Sequence, residues 1–259
     1  MRKNNITRQF VITPETGKRL IAKAFVYIPE ILRALKNQTI VVVAGTTNGY
    51  VAGELLNHIE QSDGFKREHF YRGITFPPRY SSGSTGKPNS EAEFPGDVVI
   101  EKGIWLKGKT IFDVSKNLDK GDIVIKGANA VDVVNRKAAV LIGHPEGGTI
   151  TSAISAVIGK RTVLYIPVGL EKRVPGNLDL IAERINSPNA FGPRLCPISG
   201  NIITELDAIR IITGASAEMI AAGGVCGAEG CYYIAVSGSE DQVENTEGLI
   251  KSAYNEPAD

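Results

Sequence analysis

Residues 39–43 read TIVVV, an unbroken β-branched run of the kind that is buried on both faces of a sheet. Gly45, Thr46, Thr47, Asn48 and Gly49 follow at once, and residues 50–59 then keep the spacing of an amphipathic helix. Strand, glycine-bracketed hydroxyl loop and helix confine the chain to an α/β arrangement and make a place for an anion. A helix N-terminus presents free N–H groups and the positive end of its dipole. Gly45 and Gly49 let the backbone come close, and Thr46, Thr47 and Asn48 add hydrogen-bonding side chains. The segment is expected to hold a phosphate or a carboxylate.

The unit recurs. Residues 122–126 (DIVIK) and 161–168 (RTVLYIPV) are further buried runs, residues 138–142 another strand, and residues 110–118 and 150–158 read as helices. Strands alternating with helices predict βαβ units and a mainly parallel open sheet flanked by helices. Before this core, residues 9–12 suggest a short strand. Thr13, Pro14 and Glu15 make a helix start, and Pro29 should kink or split the helix that follows. Short strands are expected at 97–101 and 103–109. From about residue 170 the texture changes to a helix at 175–185, a proline-rich loop at 187–197, a strand at 201–203 and a helix from Thr204. Strands at 217–222 and 231–237 and a helix at 240–254 follow. The division expected is a Rossmann-like core over 1–170 and a smaller C-terminal α/β lobe over 171–259.

In open parallel sheets, ligands bind beyond the carboxyl ends of the strands. Four loops fall there: 45–49, 127–132, 143–149 and the segment after Val168. Lys126 stands at a strand end, suited to neutralising a ligand anion. Asn129 and Asp132 follow it, the latter a carboxylate able to order a substrate hydroxyl or activate water. In the run GHPEGGT, Glu146 lies beside Gly147 and Gly148 ahead of a helix, placed for general-base work, and His144 is the most attractive titrating group in the chain. Residues 62–96 are rich in Pro, Gly and Ser, a loop length that goes with function or disorder. A strand is expected within it at 70–74; Arg72 and Arg79 are candidates to close over an anion, while Lys87 is read as a solvated surface charge.

Composition narrows the function classes. Over 259 residues, 29 Lys and Arg balance 28 Asp and Glu, so nothing favours a general nucleic-acid or membrane-surface binder. Apolar runs are strand-sized, and the basic N-terminus leads into no apolar signal core. Three cysteines, an odd number without framework spacing, fit reduced thiols in the cytoplasm. Cys226 and Cys231 flank GAEG with no histidine near in sequence, so no metal site is expected, and no cofactor is called for. The P-loop, the dinucleotide glycine fingerprint and the G-x-S-x-G elbow are missing, which disfavours those chemistries.

Three segments carry a family resemblance. QTIVVVAGTTNGYVAGELL resembles the opening strand, loop and helix of ribose-5-phosphate isomerase A. DIVIKGANAVD resembles that family's acid-bearing strand end, and GHPEGGTITSAISAVIGKRTVLYIPV resembles its Gly-rich turn, helix and following strand. The order matches over roughly residues 39–168. The wider superfamily joins these isomerases with glucosamine-6-phosphate deaminases, coenzyme A transferases and sugar-sensing regulators. The family's first catalytic aspartate falls at Asn129, Asp132 keeps the second acidic position, and its catalytic glutamate falls near Thr151, leaving Glu146 as the nearby substitute. The resemblance implies the fold and a phosphate-type pocket. The function expected is an isomerase-like enzyme on a small phosphorylated sugar, by carboxylate acid–base chemistry. The alternatives are a non-catalytic phosphosugar or nucleotide binder and coenzyme A transfer. The partner expected is a small anionic metabolite, with self-association into a homo-oligomer.

Overall fold

The chain opens with a strand, β1 (Ile6–Ile12), whose partner lies at the far end of the sequence. The computed structural model describes residues 5–73, 75 and 94–256; Arg79 and Lys87 lie outside them. Pro29 splits the N-terminal helix in two, because its ring cannot sit inside a continuous helix. The first half is α1 (Pro14–Phe25), capped by Thr13 Oγ1, which accepts from Thr16 N at 3.1 Å; the second is α2 (Pro29–Asn37).

The β-branched run forms β2 (Thr39–Val42), followed by α3 (Thr46–His58). Then come β3 (Val98–Glu101), β4 (Ile104–Trp105) and the single-turn α4 (Ile111–Val114), shorter than the 110–118 helix read from sequence. Next are β5 (Ile123–Ile125), β6 (Ala130–Asp132), β7 (Lys137–Ile142), α5 (Thr149–Lys160) and β8 (Val163–Pro167). The chain ends through α6 (Leu178–Ile185), β9 (Arg194–Ile198), β10 (Asn201–Ile203), α7 (Glu205–Thr213), β11 (Ser216–Ala222), β12 (Tyr232–Gly238) and α8 (Glu240–Asn255).

The fold is mixed α/β. Its six-stranded sheet runs β10-β8-β5-β2-β3-β4, with the first four strands mutually parallel, β3 antiparallel to β2 and β4 antiparallel to β3. Side chains alternate across it. Ile40 and Val42 join a core with α1, α2 and α3, while Val41 and Val43 join one with α4, α5 and the small sheet β6-β7-β9. Burial on both faces is what the unbroken apolar run anticipates. A third core fills the space between the antiparallel sheet β1-β12-β11 and helices α7 and α8, around Ile12, Tyr232, Ile234 and Val243.

Local differences from the sequence reading have physical causes. Residues 46–49, read as loop, are the first turn of α3. β9 runs through the proline-rich stretch, with Pro197 opposite Ala139. It is an edge strand, where a missing N–H is tolerated. Residues 70–73 form no strand; the backbone there follows a short 3₁₀ turn, Arg67–His69.

Candidate functional site

All four parallel strands end at one edge of the sheet, and β3, running the other way, begins there. Val42 pairs with Val98, which sets Asp97 beside the chain leaving β2. Asp97 is 1 % exposed; its Oδ1 accepts from Ala44 N at 2.9 Å and its Oδ2 from Ile111 N at 2.7 Å. Asn48 secures the neighbouring strand ends. Its Nδ2 donates to Val43 O at 2.6 Å and to Ile125 O at 3.1 Å, tying β2 to β5.

A cavity of about 800 Å³ opens at this edge. It is lined by Ala44, Lys126 and Asn129, by Arg72 and Phe112, and by residues of the turn at 143–148 and the first turn of α5. Gly147 and Gly148 take φ of 82° and 62°, and a Cβ at Gly147 would collide with the Thr151 hydroxyl. The turn is held by Gly147 N donating to His144 O at 3.0 Å and by Thr151 Oγ1 donating to Glu146 O at 3.0 Å. Arg194 donates to His144 O at 2.8 Å from outside. α5 starts with Gly148 as its cap residue, no capping side chain and no acid in its first turn, so its dipole end faces the cavity uncompensated.

Cations gather here. Arg72 lies 3.5 Å from Asp97 and its guanidinium is 4.6 Å above the Phe94 ring. Burial brings the Lys126 amine down to about 8; Asp97 opposes that shift, and Lys172 and Arg72 add to it. Burial likewise lowers Lys172, against the pull of Glu171. Asp97 is pushed up by burial despite Arg72 and its two N–H donors.

Further along the same edge, beyond β8 and β10, lies a second polar cluster. Glu205, the first residue of α7, is fully buried, and its Oε2 accepts from Leu170 N at 3.0 Å. Its Oε1 and the Tyr232 hydroxyl have no hydrogen-bond partner by geometry, nor has Glu171 Oε2. Burial first, then Glu171, pushes the Glu205 carboxyl up to about 7. Glu205 Oε1 and the Tyr232 hydroxyl crowd Gly17 of α1, where a Cβ would collide with each.

Of the residues picked out in the sequence, Lys126, Asn129, His144, Glu146, Gly147 and Gly148 meet around the cavity. Gly45, Thr46, Thr47, Asn48 and Gly49 are not among its lining residues. Thr47 and Asn48 turn inward, 2 % and 1 % exposed, Gly49 is also buried, Gly45 is half-buried and Thr46 faces solvent. Asp132 is not on the cavity wall either. Its carboxylate accepts from Asn135 N at 2.9 Å and from Asn135 Nδ2 at 2.7 Å, bonds that hold its pKa down and shape the β6–β7 turn. Arg72, picked out in the sequence as a candidate to close over an anion, also lines the cavity, whereas Asp97 and Glu205 are charged groups that sequence reasoning missed. An acid immediately before a strand that runs antiparallel to its neighbours is the signal that would have found Asp97.

Among the described residues no group of three or more His, Cys, Asp or Glu is arranged to hold a metal ion, and no helix is long and apolar enough to cross a membrane. No protein-family model matches the chain, and no curated protein or solved structure compared with it matches either.

Proposed function

We propose that the protein binds a small sugar phosphate in the cavity and moves a proton next to the sugar's carbonyl, as in aldose–ketose isomerisation. The observation that carries this is the convergence of Arg72, Lys126 and the uncapped N-terminus of α5 on one cavity at the carboxyl edge of a parallel sheet. Arg72 and the α5 amides take the phosphate. Lys126 stands nearer the reacting carbon, Glu146 on the glycine turn takes the proton and His144 assists. The likeness of three segments to ribose-5-phosphate isomerase A belongs to the same proposal, as does the reading of the six-stranded sheet as an open Rossmann-like core with a smaller C-terminal lobe.

The test pairs binding with turnover. Ribose 5-phosphate should raise the melting temperature while ribose does not. Glu146→Gln should keep that shift and lose isomerisation by on the order of 10³-fold, the scale of a lost general base. No shift with any sugar phosphate in a panel, or full turnover in the variant, removes the reading. A non-catalytic phosphosugar sensor is the second reading. The engagement of Asp132 with Asn135 favours it, and binding without turnover in the wild type would establish it.

A further inference from the structure

Lys126 is the charged group at the cavity whose surroundings are least like those of an ordinary lysine. Lys23 shows the contrast: partly buried, it sits between Glu54 and Glu256, which outweigh its burial and hold it protonated. Lys126 has no ion pair among the described residues, and its polar contact is Gly127 O at 3.5 Å, the outer limit of a hydrogen bond. Asp97, the acid whose field reaches it, is already engaged by Ala44 N, Ile111 N and Arg72. Two further cations, Arg72 and Lys172, disfavour a proton on Nζ. An amine that is desolvated, near two other cations and open to a cavity, with its one acid neighbour engaged elsewhere, is the setting that activates lysine as a nucleophile.

We propose that Lys126 condenses with the carbonyl carbon of an aldehyde or ketone sugar phosphate to form a covalent imine, an inference that rests on the sugar-phosphate reading above. The unprotonated Nζ gives its electron pair to the carbonyl carbon, and the π pair of the C=O bond moves to oxygen, which takes a proton. Nζ then gives up two protons in turn, and the hydroxyl takes a second proton, so that the oxygen leaves as water as the C=N bond forms. Hydrolysis reverses the sequence, so no oxidant or reductant enters. Once protonated, the imine nitrogen draws electrons from the adjacent C–H bond and eases the proton transfer assigned to Glu146. The free amine fraction that burial secures at neutral pH supplies the nucleophile.

The experiment traps the imine. The full chain is incubated with ribose 5-phosphate and cyanoborohydride, and the adduct is mapped by peptide mass spectrometry. The expected result is one reduced adduct on Lys126, suppressed by inorganic phosphate and lost in Lys126→Arg and Lys126→Met. A thermal shift with ribose 5-phosphate, combined with an adduct that is absent or spread over surface lysines, overturns the imine while leaving the binding reading intact. Where ribose 5-phosphate gives neither shift nor adduct, acetic anhydride competition decides. Acylation of Lys126 on the order of tenfold faster than surface lysines near pH 7, with a midpoint near 8, supports the nucleophile and rejects only this substrate. Reactivity equal to the surface lysines overturns the proposal.

Discussion

Replacing Glu205 by Gln should change how the stability of this protein depends on pH. Glu205 is fully buried, and its carboxyl is pushed from the ordinary 4.5 up to about 7 by burial and by Glu171. Between those two values the folded chain holds a proton that the unfolded chain has released. Stability then falls as pH rises, because the folded state binds more protons. The loss is absent below about 4.5, grows through the interval and is complete above 7. At about 1.4 kcal/mol per unit it amounts to about 3 kcal/mol at pH 8. Glutamine keeps an oxygen for Leu170 N, turns its amide toward the Tyr232 hydroxyl and carries no charge to desolvate. The variant should therefore match the wild type near pH 4.5 and be more stable by about 3 kcal/mol at pH 8, or about 8 °C in melting temperature for a chain of this length. Urea unfolding of both proteins at pH 4.5, 6 and 8 measures it. The groups facing Glu205 are Tyr232, Glu171 and Lys172; the Glu205 carboxylate raises Tyr232 and Lys172, an effect the variant loses together with the charge. Parallel pH profiles for the two proteins would refute the account of a desolvated carboxyl at this position.

Two pairs of substitutions test the packing that builds this edge. Gly17→Ala should destabilise by about 2 kcal/mol through overpacking against Glu205 and Tyr232, although alanine is the better helix former. Gly248→Ala in α8, where nothing lies within 4 Å of the added methyl, should stabilise by about 1 kcal/mol; denaturant midpoints of the two give the opposite signs. Asn48→Ala should cost about 2–3 kcal/mol, having lost donors to Val43 O and Ile125 O. Asn48→Asp, which sets a carboxylate against two carbonyls, should cost more; thermal melts of both variants check the order.

The parts of the fold that announce themselves in the sequence are those governed by local rules. β2, β5 and β8 are β-branched runs whose burial leaves no alternation to misread. Pro29 and Thr13 set helix boundaries through ring sterics and a side-chain cap. What local rules do not carry is pairing. Nothing within ITRQFVI specifies that β1 joins β12, and nothing within RLCPI offsets Pro197 until β9 is known to be an edge. The site divides in the same way. The turn holding His144, Glu146, Gly147 and Gly148 is one continuous segment and was legible. Asp97 and Glu205 were not, because their burial depends on strands and helices distant in sequence. Thr46 to Gly49 illustrate the opposite error. Their composition suits a loop, yet Asn48 bonds to strand carbonyls on two segments and draws the turn into α3.

The pairing of β1 with β12 spans nearly the whole chain, as the hydrogen bond between the Thr7 and Ser237 hydroxyls, 230 positions apart, records. A ribosome releases Thr7 of the first strand 230 residues before Ser237 of the second. Until then β1 has no ladder to join, and Ile12, already outside the tunnel, waits beside a surface that does not yet exist. The parallel strands can close among themselves earlier, so vectorial emergence orders the cores, with the antiparallel one last.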